Sequence, residues 1–297
     1  MEDLKKYEGI LVANTTPFDE GGNLNKKLFK DDINYLIDSG IKGFFASGTY
    51  GEGPMMSPIE YKEYIETFSE INNGRCTIIS QVGATNLKQA LEQAKYAEEA
   101  KVDAIAAIPP FYYPHDDLAI YKFYEELCNA TSLPVFIYNN PERSGNKISP
   151  ELLKKLSSIP KITGMKDSSG NIKEFMKYKM SVSENFVLLV GDDDYTVSAF
   201  LMGAKGAVIV LASLFPEIYI EMFKESKNGN WGKAVQLQFK AIQIRNVLKK
   251  GPYVSTYKEV MKLMGRNGGY TKKPLRMPTY EEIKVIKDSL IKLGYLK

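Results

Sequence analysis

The sequence predicts an α/β fold, a closed (β/α)8 TIM barrel with additional C-terminal helices. Two observations lead there: short β-branched or apolar runs recur at roughly even spacing, and each is followed by a stretch with helical periodicity. Such alternation produces right-handed βαβ crossovers and a parallel sheet, whose strands are continuously apolar because both faces are buried. A third observation is the number of runs, eight, which can close into a barrel.

The first run spans 9–14 (GILVAN), and an amphipathic stretch over 26–39 follows with Leu28, Ile33, Leu36 and Ile37 on one face. The second and third runs are 42–47 (KGFFAS) and 76–83 (CTIISQVG), the latter leading into a helical pattern over 86–100. Runs at 103–110, 134–141, 162–168, 186–193 and 206–213 complete the set. Beyond Ser213 only helical patterns remain, at 229–250 around Trp231, Val235 and Ile242, at 254–264 and at 280–293. No Gly/Pro/Ser-rich linker precedes them, so the expected organisation is a catalytic barrel over 1–215 and a helical extension over 216–297 packed on it. A doubly wound open sheet would use the same alternation. Its GxGxxG turn is missing after the first run, where NTTPFDEGG stands instead.

Composition narrows the partners. A chain of 297 residues, 44% hydrophobic and 25% charged, has the make-up of an ordinary globular protein. Its 39 basic and 36 acidic residues nearly cancel and the lysines are dispersed, which leaves no electrostatic footprint for nucleic acid and points to a small-molecule substrate. Cys76 and Cys128 form neither a CxxC pair nor a disulfide framework, and the single histidine, His115, reads as a loop residue, so no thiolate or imidazole metal set is expected. The N-terminal stretch lacks the series of a signal peptide, and no apolar run approaches the ~18 residues of a membrane span. The expected location is cytoplasmic, away from the membrane.

A barrel of this kind places its active site at the carboxyl ends of the strands. Four loops there carry residues that are odd for packing: SGTYGEGP, PPFYYP, YNNPERSG and KDSSG. Lys166 ends the apolar run ITGMK and by strand alternation shares a face with Gly164 and Ile162. Directed into the barrel, its amine would be desolvated and available to attack a carbonyl; directed outward, it would be a solvated lysine beside Asp167. Tyr138 can move protons or merely pack, Thr49 can relay a proton or hold a turn, and Arg143 can grip a carboxylate or be a surface charge. Asp192 and Asp193 in GDDD read as a helix N-cap with first-turn acids.

GTYGE, PFYYP, YNNPERSG and GMKDSSGN, in this order and at these distances, resemble the dihydrodipicolinate synthase / N-acetylneuraminate lyase family of class I pyruvate-dependent aldolases, which includes the 2-keto-3-deoxygluconate aldolases. The resemblance runs from LVANTTPFDEGGNL to MKLMGRNGGYTKKPLRMP, essentially the whole chain. It implies a Schiff-base lyase that makes or breaks a C–C bond between pyruvate, or a 2-oxo acid, and an aldehyde, with no metal or organic cofactor. Lys166 falls on the Schiff-base lysine, Tyr138 on the general acid/base and Thr49 on a relay hydroxyl. Tyr112 falls on a tyrosine that in the synthase branch completes the relay across a subunit interface, which implies a homotetramer. Arg143 falls on the arginine that in that branch meets the carboxylate of the second substrate. The expected substrate-binding positions are Thr49, Tyr50, Arg143, Gly191 and Val208.

The chain departs from the pattern at Tyr50, where most members have a second threonine. PFYYP is closer to the neuraminate lyases, GEGP is similar to archaeal 2-keto-3-deoxygluconate aldolases, and ERSG is closer to the synthases. The expected partner is therefore a sugar-derived aldehyde, with dihydrodipicolinate synthase, using aspartate semialdehyde, as the alternative through Arg143. Two other readings are a metal-dependent lyase using Glu52, Asp192, Asp193 and Asp194 around a divalent ion, and a non-catalytic metabolite-binding barrel.

Overall fold

The computed structural model describes residues 4–296. Eight strands, β1 Gly9–Val12, β2 Gly43–Ala46, β3 Thr77–Gln81, β4 Ala104–Ala107, β5 Val135–Asn139, β6 Ile162–Asp167, β7 Val187–Val190 and β8 Gly206–Ile209, pair in sequence order into a closed parallel barrel. β1 closes on β8 with Leu11 opposite Val208. Every expected run contributes a strand, shortened mainly at its carboxyl end. The run 103–110 stops at Ala107, because Pro109 and Pro110 have no N–H to offer a ladder and Ile108 precedes a proline. Apart from Thr163, the strand residues are buried, which is why the runs are apolar throughout instead of alternating.

Nine helices lie between the strands or directly after them: α1 Lys26–Asp38, α2 Pro58–Asn72, α3 Leu87–Glu99, α4 Asp117–Ala130, α5 Pro141–Ser144, α6 Pro150–Leu156, α7 Ile172–Ser181, α8 Thr196–Leu201 and α9 Pro216–Lys227. Three more follow: α10 Trp231–Leu248, α11 Ser255–Leu263 and α12 Tyr280–Lys292. α9 packs on β1, so the ring of helices around the barrel takes in residues beyond 215; α10 then packs on α9 and α8, and α12 on α10 and α11. Among the described residues no helix is long and apolar enough to cross a membrane.

Two helix faces differ from the periodicity reading. In α1 the buried stripe is Phe29, Asp32, Ile33 and Leu36, while Leu28 and Ile37 are only half-buried. Asp32 joins the stripe because Arg266 pairs with it. In α10 the buried face is Ala234, Gln238, Ala241 and Ile244, and Val235 is exposed. Alanines let that helix lie close to its neighbours, which the larger Trp231 and Ile242 at the edge of the face would not.

The segment after α10 is fastened to the barrel by polar groups. Lys258 of α11 is fully buried, pairs with Glu52, and donates to the carbonyls of Thr16 and Tyr270, each at 2.6 Å. Burial pushes the Lys258 amine down to about 8, and Glu52 opposes the shift. Breaking such a pair from one side costs about 3–5 kcal/mol, so it pins this segment against the loop after β2. At the opposite end of the barrel Tyr7 sets its ring edge-on to Phe136, with centroids 5.0 Å apart, and donates to the Asp103 carbonyl at 2.8 Å. The amino end is thereby plugged, leaving the carboxyl end for chemistry.

Candidate active site

Parallel register places the central pair. Tyr138 of β5 lies opposite Lys166 of β6, and Asn139 opposite Asp167. The two faces then part: Lys166 enters the barrel interior, whereas Asp167 turns to the outer layer. There Asp167 accepts from Asn139 at 2.7 Å, from the Ser169 hydroxyl at 3.0 Å and from Tyr195 at 3.3 Å. Burial raises its carboxyl to about 6 despite these donors. The sequence alternative of a solvated Lys166 beside Asp167 is thus corrected: the lysine is only 4% exposed and the aspartate has other partners.

Two glycines let this part of the barrel close, Gly164 by admitting the Phe136 ring and Gly191 by leaving room beside the Lys166 side chain. A Cβ at Gly164 would come within 2.4 Å of both the Phe136 ring and the Val187 carbonyl oxygen, and one at Gly191 would come 3.0 Å from the Lys166 Cε. Its Nζ lies 4.0 Å from the centre of the Phe45 ring and 4.2 Å from that of Tyr138. Burial is the largest influence on the amine and holds its pKa below an ordinary lysine's; the Tyr138 hydroxyl opposes that shift.

Tyr138 is itself 3% exposed. Its hydroxyl is 3.1 Å from Thr49 Oγ1 and receives the Asn140 Nδ2–H at 3.0 Å. Burial pushes the phenol up, but the charge of Lys166 and the bonds from Thr49 and Asn140 outweigh it, leaving the pKa below the ordinary value. A buried amine with a lowered pKa beside a phenol with a lowered pKa, linked to a hydroxyl, is a set able to attack a carbonyl and shuttle the protons that follow.

Two cavities open here. One, of ≈ 100 Å³, contains Lys166 and is walled by Thr49, Tyr50, Tyr138, Gly191 and Val208. The other, of ≈ 270 Å³, lies outside it and has an apolar wall that includes Ile108, Phe111, Val254 and Leu275. Thr49, Tyr138, Arg143 and Tyr253 border both. The structure therefore brings together Lys166, Tyr138, Thr49, Tyr50, Arg143, Gly191 and Val208. Tyr112 stands apart: it is 83% exposed, has a φ of 85°, and sets its ring edge-on to Tyr113.

The reading of GDDD as a helix cap is corrected. The N-cap of α8 is Tyr195, which makes no side-chain capping bond. The acids turn instead to Arg245 of α10, with Asp192 at 3.6 Å, Asp193 at 3.3 Å and Asp194 closer still, while Tyr219 donates to Asp193. Burial raises the Asp193 carboxyl to about 6. Glu52 is engaged elsewhere, by Lys258 and by the Lys272 N–H at 2.7 Å. Among the described residues no group of three or more His, Cys, Asp or Glu is arranged to hold a metal ion.

Sequence reasoning missed three residues of the site. Asn140 was within reach, since it is the second asparagine of YNNP. Phe45, which sets its ring edge-on to Tyr138 at 5.2 Å, looked like one more apolar strand residue. Tyr253, between α10 and α11, carried no signal at all. It stacks on Tyr50 with ring centres 4.7 Å apart and 28° between planes, and the Arg143 guanidinium sits 4.5 Å from its centre on the way to the cavities.

The profile of the dihydrodipicolinate synthetase family matches residues 6–293. The 4-hydroxy-tetrahydrodipicolinate synthase of Methanopyrus kandleri is 27% identical over 98% of each chain. Among solved structures, YagE, a prophage protein of E. coli K12 belonging to the dihydrodipicolinic acid synthase family and in complex with pyruvate, is similar with a TM-score of 0.94 at 25% identity, over 97% of this chain and 99% of that one. A catalytic lysine mutant of the Ruminococcus gnavus sialic acid aldolase is similar with a TM-score of 0.94 at 25% identity over 100% of both chains.

Proposed function

The chain belongs to the dihydrodipicolinate synthetase family of carbon–carbon lyases, and we propose that it is a Schiff-base pyruvate aldolase with Lys166 as its covalent nucleophile. The observation that carries this reading is the buried Lys166 amine beside Tyr138, whose hydroxyl reaches Thr49. A catalytic lysine is named for the sialic acid aldolase, and a pyruvate complex for the prophage protein, in line with this assignment.

In the proposed reaction the neutral amine attacks C2 of pyruvate, and Tyr138 delivers the proton with which the carbinolamine hydroxyl leaves as water. The resulting iminium draws electrons from C3. Loss of a C3 proton gives an enamine whose carbon attacks an aldehyde carbonyl, the aldehyde oxygen takes a proton, and water releases the 2-oxo-4-hydroxy acid and returns the amine. Cleavage is the same sequence reversed. No step calls for a metal or organic cofactor. Tyr112 enters this scheme only from a second copy of the chain, as the proposed homotetramer would supply it; within one protomer it is exposed.

The test is reduction with sodium borohydride in the presence of pyruvate, followed by peptide mapping. A reduced pyruvyl adduct on Lys166 is expected, with an inactivation rate that rises with pH as the amine loses its proton. Because burial lowers that pKa, the rise should level off below the ordinary lysine value of about 10.4. An adduct on another lysine, or none, would remove the mechanism.

For the acceptor we propose a sugar-derived aldehyde, making a 2-keto-3-deoxy sugar acid aldolase of the 2-keto-3-deoxygluconate or N-acetylneuraminate type. Tyr50 supports this, because its ring fills the position of the usual threonine and packs against Tyr253 and Tyr257. The synthase reading rests on Arg143, which borders both cavities. Arg143→Ala separates them. Condensation with glyceraldehyde should change only a few-fold, since that acceptor has no carboxylate. Aspartate semialdehyde, were it the true partner, would lose a charge-assisted bond of about 1.5–3 kcal/mol, roughly 10- to 150-fold in kcat/KM. Efficient wild-type condensation with aspartate semialdehyde that collapses in this variant would establish the synthase.

A further inference from the structure

We propose that Tyr253 determines acceptor specificity by holding Arg143 away from any carboxylate on the incoming aldehyde, an assignment that rests on the pyruvate aldolase reading above. Three groups meet around Tyr253 at the boundary of the two cavities: the Tyr50 ring stacked 4.7 Å from it, the Tyr253 ring itself, and the Arg143 guanidinium carbon 4.5 Å from the Tyr253 centre. Tyr257 closes the far side with its edge toward Tyr50 at 5.0 Å. Tyr50 is thereby fixed, and it fixes Tyr253 in turn.

The guanidinium is already engaged on two sides. One face lies on the aromatic ring, a favourable placement for a planar cation, and Glu142 pairs with it at 3.3 Å. An acceptor carboxylate would have to compete with both contacts for the same group. A short neutral aldehyde has no such need and meets only the apolar wall and the Tyr138 hydroxyl. Tyr253 is half exposed and lies between helices, so its replacement removes a contact and not a core side chain. It is a positioning residue, acting on the substrate through Arg143.

The experiment compares kcat/KM for condensation of pyruvate with glyceraldehyde and with succinic semialdehyde, a carboxylate-bearing acceptor, across wild type, Tyr253→Ala, Tyr253→Phe and the double variant Tyr253→Ala/Arg143→Ala. Freed from its stack, Arg143 should raise the succinic semialdehyde to glyceraldehyde ratio of Tyr253→Ala by about tenfold, the scale of one charge-assisted hydrogen bond. Tyr253→Phe keeps the ring but drops the hydroxyl that also bonds to Arg143, so its ratio should rise less than that of Tyr253→Ala, and the double variant should lose the gain. An unchanged or lower ratio in Tyr253→Ala, or a gain that survives removal of Arg143, overturns the assignment. Borohydride trapping of pyruvate on each protein reports the underlying chemistry separately. Normal adducts with an unmoved ratio refute only the role of Tyr253, whereas no adduct on wild type refutes the aldolase reading and the role with it.

Discussion

Lys166→Ala is expected to lower turnover by about 10⁴-fold or more, the scale on which loss of a covalent nucleophile is felt, and to abolish the borohydride adduct with pyruvate. Without the amine there is no iminium to accept the electrons of the breaking or forming bond. Lys166→Arg should be equally inactive, because a guanidinium stays charged at all accessible pH and cannot attack. That second variant is the discriminating one. If Lys166 served only as a buried positive charge for a carboxylate, arginine would restore a substantial part of the activity, and steady-state kinetics on the two variants would show it. Neither change should unfold the barrel. Alanine removes a side chain whose burial already disfavours its charge, and thermal melting checks that the loss is chemical.

Tyr138→Phe is expected to reduce turnover by about 10²–10⁴-fold, the usual contribution of a positioned acid/base group. The ring, its edge contact with Phe45 and its burial all remain, so the fold should persist. The variant leaves Asn140 Nδ2 and Thr49 Oγ1 without their shared partner, at a cost of about 1–3 kcal/mol. The direction of the Lys166 shift separates two causes of a slow variant. Tyr138 opposes the lowering of that pKa, so removing its hydroxyl shifts the balance toward the neutral amine, not away from it. A slow variant would therefore be short of a proton carrier and not of nucleophile. Pre-steady-state trapping reads this as slow imine formation that raising the pH does not repair. Activity within a few-fold of wild type, accompanied by a lower melting temperature, would assign Tyr138 to packing.

Much of this arrangement is legible in the sequence. The barrel follows from eight apolar runs because strands buried on both faces must be apolar throughout, a local property of the chain. Lys166 stood out for the same reason: a lysine closing such a run shares a face with Gly164 by strand alternation, although only the closed barrel shows that this face points inward. Thr49, Tyr138 and Arg143 could be placed at one end of the molecule because the carboxyl ends of barrel strands converge, so a residue's place after its own strand already implies that end.

What the sequence by itself determined is thus the set of groups carried by the strands and the end of the barrel where they meet, since both depend on periodicities of two and 3.6 residues within single elements. The tertiary structure alone decided which partners those groups have. Asp192 and Asp193 read as a helix cap, yet Arg245, some fifty residues later by sequence number, gathers them together with Asp194. Tyr50 read as a bulky departure in a substrate loop, yet Tyr253 and Tyr257 give its ring an aromatic seat. Glu52 read as a possible metal ligand, yet Lys258 claims it. In each case the partner comes from the segment after the barrel strands. Burial and charge select such pairings only once the chain has closed, and no local pattern records a contact between residues some fifty to two hundred positions apart.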